Sequence, residues 1–160
     1  MKQKTLAIML MSVIIGVAIC AAVVYVYIVP HFGLDLATSG RGEISPKYLP
    51  WLIFTSLTAI PVAIVLIMAF IISVNISRNR SFCRENARLL AIISILSAVG
   101  TFYFFAGNVV FVILKMHNSA FFVLNMLVCF AGFAMTFTTA ALSHYARKAA
   151  DLKEEADLTI

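Results

Sequence analysis

Residues 89–114 read LLAIISILSAVGTFYFFAGNVVFVIL, a stretch that contains no Asp, Glu, Lys or Arg. A helix rises about 1.5 Å per residue and the hydrocarbon core of a bilayer is about 30 Å thick, so roughly 20 residues cross it and this run is longer than that. Residues 5–29, 48–77 and 116–146 are equally free of charge. Of the whole chain, 62% is hydrophobic and 12% charged, with a mean hydropathy of +1.02. A soluble domain keeps about a quarter of its residues charged, and here the few charges fall between the apolar runs. None of the runs alternates every second residue over ~10 positions as an outer-membrane strand does, so the helix is the form that satisfies the backbone inside lipid. The expected fold is all-α, a polytopic four-transmembrane-helix bundle with spans at about 5–29, 50–75, 89–114 and 120–146. With a short tail at 147–160, residues 1–160 form a single membrane domain.

Lys2 and Lys4, followed by an apolar stretch reaching Ala18, Ala21 and Ala22, resemble the start of a secretory signal. The apolar core of a signal spans about 7–15 residues, however, and this one runs on through Val29. A lipobox is excluded by Ile19, which stands before Cys20 where a small residue is needed. The first run is therefore expected to remain as a membrane helix.

Orientation follows from the basic residues, because segments rich in Lys and Arg stay on the cytoplasmic side. Lys2, Lys4, Arg78, Arg80, Arg84, Arg88, Arg147, Lys148 and Lys153 lie on one side, and Arg41, Lys47 and Lys115 on the other. Both termini and the connection between the second and third spans are thus expected to be cytoplasmic. The segments around 30–50 and 115–119 then face outward. In the first of these, Pro30, Gly33, Gly40, Gly42, Pro46 and Pro50 are expected to break regular structure. Asp35, Arg41, Glu43 and Lys47 read as a solvated loop. Tyr25, Tyr27, Tyr48 and Trp51 read as interfacial anchors, and Pro61 is expected to bend the second span.

Little in the chain points to chemistry. Cys20, Cys83 and Cys129 show no Cys-x-x-Cys spacing, and His31, His117 and His144 are scattered without neighbouring ligands. No catalytic residue, metal site or cofactor is expected, and the protein is not read as an enzyme. All seven acidic residues lie outside the spans. Ion-coupled transporters ordinarily bury an ionisable group near the midplane, so coupling by that means is disfavoured. Asn108, Asn125, Thr101, Thr136, Thr138 and Thr139 are the polar groups left within the membrane. Ser12-Gly16-Cys20 and Gly132-Thr136-Ala140 recur every four residues as small-residue stripes, expected to pack within the bundle, with homo-oligomer formation as the second reading.

The connection between spans two and three carries a more specific pattern, Asn79-Arg80-Ser81-Phe82-Cys83-Arg84-Glu85-Asn86-Ala87-Arg88. It resembles the Phe-Ser-x-Glu-Asn-Ala motif of a domain-of-unknown-function family of small bacterial four-helix membrane proteins, matched here by Phe82, Glu85, Asn86 and Ala87. The C-terminal Leu152-Lys153-Glu154-Glu155-Ala156-Asp157-Leu158-Thr159-Ile160 is similar to that family's Leu-x-Glu-Glu-Asn-Asp-Leu-Thr-Ile ending. Cys83 departs from the motif, where Ser is usual, and so does Ala156, where Asn is usual. A Ser at 83 would cap the third helix, with Glu85 in its first turn favoured by the helix dipole. Cys caps poorly, which leaves Ser81 to take over.

The resemblance implies no enzyme. It implies a partner, since such genes often neighbour one for a Cro/CI-type helix-turn-helix repressor. The reading reached from sequence is a multi-pass protein of the bacterial cell (inner) membrane, in contact with the lipid bilayer and acting in regulation or protein interaction. A small transporter or channel component without an embedded carboxylate is the alternative. Direct nucleic-acid binding is not expected. The candidate interaction residues are Arg80, Phe82, Arg84, Glu85, Asn86, Arg88, Leu152, Glu154, Glu155, Asp157, Leu158 and Ile160. The basic loop and acidic tail, including Asp151, are expected to form one docking surface. If the last helix runs past Ala146, Tyr145, Ala149, Leu152 and Ala156 share an apolar stripe on it.

Overall fold

The computed structural model describes residues 3–38, 48–78, 83–114 and 119–158, and all four segments are helical. The first contains α1 (Gln3–Val23), a π-helical turn (Val24–Ile28) and α2 (Val29–Thr38). The second contains α3 (Tyr48–Leu57) and α4 (Ala59–Ser77), and the others are α5 (Arg84–Ile113) and α6 (Ser119–Leu158). Four helical stretches are long and apolar enough to cross a membrane: Lys4–His31, Tyr48–Ser77, Arg84–Ile113 and Phe122–Glu155. The protein is an all-helical, four-span architecture, with no strand among the described residues.

The distribution of side chains is that of a protein dissolved in lipid. Large apolar groups face outward, among them Val26, Phe130 and Phe137, each more than 70% exposed. The interior holds mostly small or polar residues, among them Ala7, Ala87, Cys129, Ser73, Asn86, Ser94, Thr101, Asn108 and Thr139, with Ile93 and Val29 as larger apolar members. Lipid tails are as apolar as Leu, so burying Leu gains nothing there; close backbone approach and interhelical hydrogen bonds hold the helices instead.

The helices pack as neighbours in the order α1, α4, α5, α6, and the α5–α6 hairpin has the most extensive contact. Its basis is a seven-residue repeat. On α5, Ala87, Ser94, Thr101 and Asn108 are buried, with half-buried Leu90, Ser97 and Phe104 between them and half-buried Phe111 following. On α6 the shielded positions are Asn125, Cys129, Gly132, Thr136, Thr139, Ser143, Ala146 and Ala150, alternating steps of four and three. Such 3.5-residue periodicity keeps one seam of each helix against its neighbour. Along the seam Asn125 Nδ2 donates to Asn108 Oδ1 at 2.5 Å, and Ser94 Oγ donates to the Thr136 carbonyl at 3.0 Å. Between these two layers, Thr101 lies directly against Gly132, where any Cβ would overlap its side chain.

Three expectations are corrected. Pro30 and Gly33 do not break the chain but lie within α2. The π-helical turn explains the first: Val29 N–H bonds back five residues to the Val24 carbonyl, and this wider turn accommodates a ring that would collide with the carbonyl four residues earlier. Gly33 is required because the Tyr48 and Trp51 rings rest against it, leaving no space for a Cβ. Pro50 likewise does not break the chain; it occupies the first turn of α3, where its missing N–H has no partner to lose. Third, Ser12, Gly16 and Cys20 all point away from the bundle, and Ala140 on α6 is exposed as well. The Ser12 hydroxyl donates to the Met9 carbonyl of its own helix, and the α6 contact runs down Gly132, Thr136 and Thr139 instead.

The second span, which Pro61 was expected to bend, is interrupted three residues before that proline. α3 ends at Leu57 and α4 begins at Ala59, with Thr58 in a turn whose N–H bonds to the Thr55 carbonyl at 3.2 Å. Its hydroxyl donates to the same carbonyl at 2.6 Å and pairs with the Tyr25 hydroxyl at 2.9 Å. Tyr25 and Tyr48, expected as interfacial anchors, thus make contacts inside the protein, Tyr48 through a 3.3 Å bond to the Pro30 carbonyl.

Candidate functional site

The motif residues lie where α5 begins. Cys83 is extended (φ −128°, ψ 151°) and makes no side-chain cap, and the Ala87 N–H closes the first turn on the Cys83 carbonyl at 3.3 Å. Ser81, expected to replace the missing cap, lies outside the described residues, as do Arg80 and Phe82. Glu85 occupies the first turn, where the positive end of the dipole favours a carboxylate, and its side chain is exposed, as is that of Arg88.

Asn86 is the most deeply buried large side chain of the described residues. Asn75 Nδ2 donates to its Oδ1 at 2.8 Å, tying the last turn of α4 to the first turn of α5. Beside it Ala87 is buried, and its carbonyl accepts a 2.8 Å bond from Ser143 Oγ on α6. A larger residue at 87 would push α6 away. Asn86 and Ala87 therefore join three helices and lie beneath the surface, whereas the sequence reading placed Asn86 on it.

Arg84 crosses to the C-terminal part of α6. Its Nη2 lies 3.1 Å from Asp151 Oδ1 and 3.0 Å from Glu154 Oε2, and its Nε donates to Asp151 Oδ1 at 3.2 Å. Asp151 and Glu154 are one turn apart and so share a face of α6. The three side chains are 69%, 45% and 57% exposed, so each pairing contributes only ~0–1 kcal/mol and orients the helix more than it stabilises it.

The tail is helical through Leu158. Some twelve residues beyond Ala146, at about 1.5 Å each, carry α6 roughly 18 Å further. Ala150 is buried against the bundle while Tyr145 and Leu152 are 68% and 58% exposed on the outer face; of the other two residues of the expected stripe, Ala149 is half-buried and the Ala156 side chain lies outside the description. Glu154 and Glu155 are exposed, Asp157 and Leu158 lie in the helix without described side chains, and Ile160 lies outside the described residues. Of the candidate residues, then, the structure unites Arg84 with Glu154, adds Asp151, buries Asn86, and sets Leu152 apart on the opposite face.

Asn75 and Ser143 were missed as partners. An amide in the last turn of an apolar span, across a short connection from Asn86, was a signal that the two meet. Among the described residues no group of His, Cys, Asp or Glu is arranged to hold a metal ion.

Residues 35–160 match the family described as Protein of unknown function (DUF2975). Over 165 residues, covering 99% of each chain, the protein is 27% identical to the Uncharacterized membrane protein YoaS of Bacillus subtilis (strain 168). No solved structure matches.

Proposed function

The chain belongs to the DUF2975 family of proteins of unknown function, and from that premise we propose that it is a regulatory protein of the bacterial inner membrane that holds a soluble cytoplasmic partner. The observation carrying this reading is the projecting end of α6. One of its faces is fastened to α5 through Ala150 and through the Arg84 pairing with Asp151 and Glu154. The other presents Tyr145 and Leu152 beside Lys148, an apolar strip with charged borders of the kind that seats in the groove of a partner. A small helix-turn-helix regulator is the partner class we favour. The bias of nine basic residues to the side of the termini supports a cytoplasmic location for this helix.

The transporter alternative draws less support from the bundle. On α5 the buried polar groups Ser94, Thr101 and Asn108 are seven residues, about 10 Å, apart, and on α6 the Thr136 and Thr139 hydroxyls donate to carbonyls of their own helix. Hydroxyls already bonded to carbonyls leave little of this polarity to line a path for solute.

Affinity purification of the full chain from native membranes, beside a chain ending at Ala150, tests the proposal. The full chain should retain a soluble protein that the shortened one loses, with both inserted equally. Equal recovery from the two chains would place any docking surface elsewhere. Solute flux through liposomes holding the pure protein, with no partner retained, would favour the transporter.

A further inference from the structure

Two interruptions of regular helix meet at one level of the molecule, and nothing in the proposed function uses them. In the first span the π-helical turn precedes Pro30; in the second, Thr58 separates α3 from α4, and Pro61 stands in the first turn of α4. Neither proline can donate a backbone hydrogen bond, so the ladder of each span is broken there. The breaks are joined to each other, since the Tyr25 hydroxyl, from the π-helical turn, pairs with the Thr58 hydroxyl at 2.9 Å.

Beyond the breaks α2 and α3 pack chiefly on one another. Gly33 receives the Tyr48 and Trp51 rings, and the Tyr48 hydroxyl bonds to the Pro30 carbonyl. Their firmest hold on the rest of the protein is Phe54. It lies on Gly107 of α5, where a Cβ would overlap its ring, with Tyr103 at 4.8 Å and Phe111 at 5.3 Å between ring centroids. By contrast, α5 is unbroken over Arg84–Ile113 and is packed along its length on α6.

We propose that α2 and α3 form a hinged cap that pivots on the π-helical turn and the Thr58–Pro61 break, with the Tyr25–Thr58 pair as its catch and Phe54 as its bearing on α5. Two chain connections at one level, both lacking regular helical hydrogen bonds, give a unit that moves as a body about that level. Displacing Phe54 acts on the outer end of a continuous helix whose other end carries Arg84. The inference concerns motion alone and holds whether or not the partner proposed above exists.

The test uses the full chain in lipid nanodiscs with its three cysteines replaced by Ala. One pair of spin labels sits at Leu49 and Val110, across the cap and α5; a control pair sits at Ile67 and Ile95, below the break. Tyr25→Phe removes the catch and should broaden the first distance distribution roughly twofold while leaving the control unchanged. Gly107→Ala lifts Phe54 and should shift the mean of the first pair alone. A change confined to the cap pair in either variant supports the hinge. No change in both variants, or an equal change in the control pair, overturns it.

Discussion

Asn86 and Arg84 stand two residues apart in the same motif and act by different physics. The Asn86 amide is enclosed and accepts a hydrogen bond from Asn75. Arg84 is mostly exposed and pairs with two carboxylates in contact with water. Removing one partner of a buried pair leaves the other without its bond, so Asn86→Ala should lower stability by about 1–2 kcal/mol. Exposed ion pairs contribute ~0–1 kcal/mol, so Arg84→Ala should change stability little while loosening the end of α6. Thermal unfolding in mild detergent ranks the two variants, and hydrogen exchange over 147–158 detects the loosening. An Arg84 variant less stable than the Asn86 variant would contradict both assignments. The motif was visible in the sequence, but its division into an inner and an outer part was not. Glu, Asn and Arg look alike as polar residues at a helix start, and only the approach of α4 and α6 determines which of them leaves water.

Among the elements, helices were far easier to foresee than their faces. Charge-free runs longer than the bilayer is thick announce spans whatever surrounds them. In lipid, though, the apolar side chains of a span do not mark its buried side, because exposed Phe130 and buried Cys129 are both compatible with membrane. That is why the small residues of α1, spaced by four, were assigned to packing and are found outward. The seam of α6 follows alternating steps of four and three, of which Gly132 and Thr136 show only one step. Gly132 tests the seam: the Thr101 side chain occupies the space a Cβ would need, so Gly132→Leu must separate α5 from α6 and should destabilise by about 1–3 kcal/mol. Gly16→Leu, with nothing within 4 Å of the site, should change the same unfolding measurement by less than about 0.5 kcal/mol. The helix break tests in the opposite direction. Pro61→Ala restores a donor that can reach the Leu57 carbonyl, so hydrogen exchange around residues 57–61 should slow.

For the whole molecule the decisive quantity is which way the bundle faces, since the cytoplasmic assignment of the α6 end rests on it. Four spans return the chain to its starting side, and the Arg84 bridge to Asp151 and Glu154 brings the α5 start and the α6 end together at one end of the hairpin. Those contacts leave open which compartment lies there. Charge supplies the choice, because Lys and Arg near span ends resist translocation while Asp and Glu contribute little. Nine of the twelve basic residues flank the termini and the connection between α4 and α5, so the four carboxylates of the tail do not reverse the bias. In a background without Cys20, Cys83 and Cys129, single cysteines replace Gly40, in the connection between α2 and α3, and Ala149, on the projecting part of α6. An impermeant thiol reagent added to intact cells should label position 40 alone, and lysis should expose position 149. Labelling of position 149 in intact cells would put the Arg84 cluster and the Leu152 face outside, where no cytoplasmic regulator reaches them, and the proposed function would fail with the orientation.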